Sequence, residues 1–118
     1  MINHVVLMKF KPEAQESDIV KLEKHLEELP NKIVEIHSYE FGRDILRSER
    51  SYDFALVSLF ANVESLERYQ KHPEHIKVLK IVGEICDSVI VSDFKGTDAS
   101  DFKEKQPETD FDSILAGR

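Results

Sequence analysis

Tyr69, His72 and His75 crowd around Pro73 in the run Tyr-Gln-Lys-His-Pro-Glu-His. A phenol and two imidazoles are among the few side chains that move protons near neutral pH, so acid/base chemistry is expected here first. On a continuous helix Tyr69 and His72 share a face, and a bend at the proline also lets Tyr69 converge with His75. In the functional reading an imidazole accepts a proton from a carbon acid or a phenol while the tyrosine hydroxyl donates to a carbonyl or enolate oxygen. In the structural reading His72 caps the helix that Pro73 begins, Tyr69 is half-buried core, and His75 is a solvated first-turn residue.

His4 and Asp93 form a second candidate pair. They lie near opposite ends of the chain, on the first and last strands, and meet if those strands are antiparallel neighbours. Asp93 then fixes the tautomer of His4 and the two make a polar floor for a pocket; the alternative is a self-satisfied pair that ties two strands together. Metal binding is not expected, because the H-x-x-H spacing of His72 and His75 supplies only two ligands and Cys86 is the single cysteine. The same count excludes an internal disulfide. The chain lacks a glycine-rich dinucleotide turn, a P-loop and a nucleophile elbow, so no cofactor is expected.

The elements that must hold these groups can be read from periodicity. Asn3 to Lys11 alternates as a strand, with His4, Val6, Met8 and Phe10 on one side and Val5 and Leu7 on the other. From Ser17, read as an N-cap, Ile19, Leu22, Leu26 and Leu29 recur at helical spacing until Pro30 ends the pattern. Lys32 to Phe41 reads as a second strand closed by Gly42, Arg43 to Ser51 as a mobile loop, and Tyr52 to Ala61 as a third, central strand carrying Phe54, Leu56 and Phe60 on one face. Asn62 caps a helix with Val63, Leu66 and Tyr69 on one stripe; a further helix covers His75 to Glu84, with Gly83 at its end, and Ser88 to Phe94 is the last strand. The order βαββαβ predicts an α+β, ferredoxin-like protomer with sheet order 4-1-3-2 over residues 1–95. Residues 96–118 read as an acidic tail, with a short docking helix suggested by Phe111, Ile114 and Leu115.

Size and charge narrow the function classes. At 118 residues one core is expected. With 16 Lys and Arg against 23 Asp and Glu, net charge −7, the chain repels a phosphate backbone, so nucleic acid is not an expected partner. No apolar run approaches the ~20 residues of a membrane span and the N-terminus lacks secretory features, so a cytoplasmic location is expected. Val5, Leu7, Ala55, Val57, Leu59, Ile90 and Phe94 line the sheet face away from the helices, a patch too apolar to stay wet, which predicts an isologous homodimer sealed face to face.

The opening His4-Val-Val-Leu-Met-Lys-Phe, Leu29-Pro30, Phe41-Gly42-Arg43-Asp44, Tyr52-Asp53, Tyr69 with His72-Pro73-x-His75, and the closing Asp93-Phe94 resemble the Dabb family, the stress-responsive α/β barrel domains. The resemblance spans Met1 to about Lys95. It implies a dimeric α+β barrel with a pocket between sheet and helices. A plant enzyme of the family, which cyclises a linear polyketide, has its general-base histidine and partner tyrosine at the positions of His75 and Tyr69, and a histidine and an aspartate at His4 and Asp93. This chain departs from it at Phe54, where the plant enzyme has a pocket histidine. The expected site is therefore His75 and Tyr69 as acid/base groups, with His4, Val6, Met8, Phe54, Leu56, His72 and Asp93 around a small apolar or carbonyl-containing ligand. The rivals are a non-enzymatic stress or structural homodimer and, by analogy of fold, a monooxygenase-like dimeric barrel enzyme.

Overall fold

Alternation makes β1 (Ile2–Phe10) the organising strand: His4, Val6 and Met8 are buried on one side, while Val5 and Leu7 are only partly covered on the other. A computed structural model describes residues 1–97, so the greater part of the expected tail, with its suggested docking helix, lies outside the described residues. Chain order is β1, α1 (Glu16–Lys32), β2 (Ser38–Arg43), β3 (Phe54–Phe60), α2 (Val63–Lys71), α3 (Pro73–Ile85) and β4 (Cys86–Lys95). The antiparallel sheet runs β2-β3-β1-β4, the expected order with the expected central β1 and β3.

Several boundaries differ from the periodicity reading, most of all around α1 and α3. The first helix starts earlier, because the Asp18 carboxylate accepts the Gln15 backbone N–H at 2.9 Å and makes Gln15, not Ser17, the N-cap. It also runs through Pro30 to Lys32. So near the C-terminus the missing N–H removes a single helical bond, and both Leu29 and Ile33 are driven into the core at 2% and 1% exposure. Ile33 is therefore a helix cap rather than a strand residue, and β2 begins only at Ser38. Gly83 lies inside α3, which continues to Ile85 because Val82 and Ile85 are buried on the same stripe as Val78 and Ile81.

One core forms between the helices and one face of the sheet. Leu22, Leu26 and Leu29 of α1, Leu66 and Tyr69 of α2, and Val78, Ile81 and Val82 of α3 pack on Val6, Met8, Phe54, Leu56 and Phe60. Asp53 locks the end of β1 to the start of β3: its carboxylate accepts the Phe10 N–H at 2.8 Å and its own N–H donates to the Met8 carbonyl at 2.9 Å. Arg43 at the end of β2 reaches Glu16 and Glu23 on α1. No helix among the described residues is long and apolar enough to cross a membrane.

Candidate acid/base cleft

Pro73 decides how the two helices present their polar groups. His72 ends α2 in extended backbone (φ −65°, ψ 136°), its Nδ1 accepts the Glu74 N–H at 3.1 Å, and Pro73 starts α3 with a φ the helix needs. The chain therefore turns between Tyr69 and His75 and brings their rings together, centroid to centroid 4.2 Å. His75, in the first turn of α3, is buried, and its Nδ1 lies 3.2 Å from the Gln70 carbonyl oxygen. A carbonyl only accepts, so Nδ1 carries the proton and Nε2 keeps its lone pair. Burial, with the His4 and His72 imidazoles nearby, pushes the His75 pKa below its ordinary 6.5, so the ring is neutral and basic at neutral pH.

Tyr69 is fully buried, its ring against Phe60 and edge-on to His4 at 6.0 Å. Its hydroxyl is 2.7 Å from that of Tyr39 on β2. Burial pushes the Tyr69 phenol up to about 12, and burial with the neighbouring Tyr69 pushes Tyr39 higher still. His4 pairs directly with Asp93 across β1 and β4, and Nδ1 donates to the Asp93 carboxylate. That fixes the second imidazole as Asp93 was expected to do.

These groups surround a cavity of about 210 Å³ between α1, α3 and the sheet. His4, Val6, Met8, Leu56, Tyr69 and His75 line it, each at the position the sequence suggested. Three other named residues do not reach the wall. Asp93 stands behind His4, His72 is spent on capping, and Phe54 stacks on Phe41 at 6.0 Å and lines a separate hollow of about 360 Å³ with Gly42 and Tyr52. The cavity wall also carries Tyr39, Gln70 and the apolar Leu26, Val78, Leu79, Val82, Val89 and Val91, which sequence reasoning did not single out for the pocket. Tyr39 faces the helices because it pairs with Ser58, a register that alternation alone does not specify. Gln70 acts through its carbonyl, which leaves no side-chain signature.

No cationic side chain lines the cavity, and among the described residues no group of three or more His, Cys, Asp and Glu gathers as metal ligands. Burial first, then the charges of Asp53 and Asp87, push the Cys86 thiol up to about 11, which leaves it a poor nucleophile at neutral pH. The arrangement thus joins an uncharged base and a buried hydroxyl to an apolar chamber.

A helix-backed antiparallel sheet with this polar cluster beneath the helices defines the class, and the family model described as stress responsive A/B barrel domain matches residues 2–96. The chain belongs to that family. It is similar to the stress-response A/B barrel domain-containing protein HS1 of Arabidopsis thaliana, 29% identical over 101 residues that cover 84% of this chain and 93% of HS1. Olivetolic acid cyclase of Cannabis sativa is 23% identical over 95 residues, 79% of this chain and 94% of the cyclase. A dimeric ferredoxin-like protein of unknown function from Thermobifida fusca shares the fold at a TM-score of 0.75 and 26% identity, over 80% of this chain and 90% of that one.

Proposed function

We propose that this protein works in the cytoplasm as a homodimer whose helix-covered cleft binds a small, uncharged, mostly apolar carbonyl compound and carries out cofactor-free acid/base chemistry of the aldol or cyclase type. The observation that carries the reading is the meeting of the His75 and Tyr69 rings, centroids 4.2 Å apart, at the wall of an apolar cavity without a cation, with the His75 Nδ1 proton committed to the Gln70 carbonyl. His75 Nε2 takes a proton from the carbon next to the carbonyl. The C–H electron pair becomes the enolate double bond and charge moves to the carbonyl oxygen, where the Tyr69 hydroxyl donates a hydrogen bond. The enolate carbon then attacks a second carbonyl carbon of the same molecule, and protonated His75 returns its proton to the new alkoxide. Similarity to a named cyclase supports this class of reaction. Three apolar side chains half-exposed on the opposite sheet face, Val57 at 42%, Ile90 at 46% and Phe94 at 50%, together with the dimeric structural relative, support the paired assembly.

Deuterium exchange tests the catalytic step. A 1,3-diketone with an alkyl tail, incubated in heavy water, loses its α-proton signal faster with the protein than in buffer, and His75→Ala removes at least about 100-fold of that gain. Exchange no faster than buffer with the unaltered protein, or undiminished in His75→Ala, overturns the assignment of His75 as base.

One observation favours a second reading, a non-enzymatic stress homodimer: among the described residues every side-chain polar atom fully shut off from solvent has a hydrogen-bond partner. The same His75, Tyr69 and His4 contacts then serve to lock the fold. That reading expects Tyr69→Phe and His75→Ala to lower the melting temperature without any change in exchange.

A further inference from the structure

Tyr39 has no part in the acid/base pair described above, yet its hydroxyl hydrogen-bonds one side-chain group among the described residues, the Tyr69 hydroxyl at 2.7 Å. Two phenols sharing one hydrogen bond leave one O–H spent and the other free. The donor commits its proton to its neighbour, and the acceptor keeps its own for a third group. Both rings border the cavity, but they differ in what else they meet. Tyr69 lies against His75 at 4.2 Å and His4 at 6.0 Å, whereas the aromatic neighbours of Tyr39 are Phe41 and Tyr69 alone. The free O–H is of use only on the ring beside the base.

We propose that Tyr39 is a positioning residue that donates its phenolic proton to the Tyr69 oxygen, so that the Tyr69 O–H is directed at the carbonyl oxygen of a bound ligand and an anion forming there is met by two hydroxyls in series. This rests on the role given to Tyr69 above and extends it to the kind of ligand. A chain of hydroxyls strengthens as charge builds at its end, because each donation polarises the next bond. It suits a neutral carbonyl that becomes an enolate or a phenolate, and it needs no fixed positive charge. A carboxylate or phosphate, already charged before binding, would find no cation on this wall.

The direction of the bond can be read without a substrate. The chain has three tyrosines and no tryptophan, so tyrosinate absorbance after a rapid pH jump follows Tyr39, Tyr52 and Tyr69 with no indole background. With Tyr39 donating, the Tyr69 phenolate is stabilised, and Tyr39→Phe moves the Tyr69 midpoint, already raised by burial, higher than in the unaltered protein. A midpoint that falls or stays in place overturns the proposal, since it makes Tyr69 the donor or the bond irrelevant.

A second arm uses ligand probes. Binding of 4-nitrophenolate, seen in its visible absorbance, weakens several-fold in Tyr39→Phe, while the methyl ether 4-nitroanisole binds the two proteins alike. Equal loss for both probes means that Tyr39 only shapes the chamber and overturns the proposal. If neither probe binds the unaltered protein, the ligand reading of the cleft fails, and the titration still decides the direction of the Tyr39–Tyr69 bond.

Discussion

The two faces of the sheet are built from the same kinds of residue and meet different fates. Along β3, Phe54, Leu56, Ser58 and Phe60 are buried beneath helices, while the interleaved Ala55, Val57 and Leu59 are partly covered or exposed. The helix side reaches the density of a core, with Phe60 at 0% and Phe54 at 1% exposure, and it still makes room for three buried polar side chains around a cavity. The bare side is simpler: a shallow apolar surface with a hollow of about 100 Å³ among Val5, Leu7, Ile90, Val91 and Ser92. The contrast teaches that apolarity on both sides of a strand says only that both sides need cover. A buried histidine in such a strand marks the side where cover comes from the same chain, because satisfying it takes a partner held at a fixed distance, as Asp93 is for His4.

The contrast can be broken most forcefully at Phe60. Phe60→Ala removes a fully buried ring that touches Tyr69, and unfolding by denaturant should show a loss of about 3–5 kcal/mol, independent of protein concentration. A loss under about 1 kcal/mol would mean that the helix side is not the dominant core.

On the bare face the effect should take a different form. Val57→Lys places a charge at the centre of the face that a second copy would cover, so it should weaken self-association by about 2–3 kcal/mol and shift sedimentation toward the monomer. The melting temperature of the unaltered protein should then rise with concentration and that of the variant should not. A monomeric unaltered protein at high concentration removes the homodimer from the functional reading.

A smaller effect follows from His75. Burial lowers its folded pKa below the ordinary 6.5, so between that lowered value and 6.5 the unfolded chain binds more protons than the folded one. The His75 contribution to stability is therefore complete above pH about 6.5 and is lost as the pH falls through that window. His75→Asn should flatten the acid side of the stability profile, and a profile of unchanged slope would show that the ring is not desolvated in solution.

The smallest change tests the helix that covers the site. Gly83 sits in the last turn of α3, exposed, with open space where a Cβ would be, so Gly83→Ala should stabilise by about 0.5–1 kcal/mol in thermal melts. Destabilisation would mean that this surface is covered in solution.

Much of the fold was legible because its signals are local. Alternation in β1 and β3, the Asn62 cap whose side chain accepts the Ser65 N–H at 2.8 Å, and Pro73 at a helix start each act within a few residues. The errors fell where a distant contact outweighed a local preference: Leu29 and Ile33 carried α1 past Pro30, and α3 passed through Gly83. The site was legible in its residue types and less so in its walls. His75, Tyr69 and His4 stand out as polar groups among apolar stripes, whereas Phe54 and His72 were named for the pocket and went to core stacking and capping.

The sequence alone determined the order of elements, the faces of the strands, the polar groups at Tyr69, His75, His4 and Asp93, and the absence of a second cysteine, since each depends on spacing or composition within one stretch of chain. Only the tertiary structure decided that Tyr39 would meet Tyr69, that Gln70 would fix the His75 tautomer, and that Asp93 would stand behind His4 rather than in the cavity. Those outcomes turn on strand register and on the angle between two helices, quantities set by packing across the whole core, where a one-residue slip would send each side chain to the opposite face.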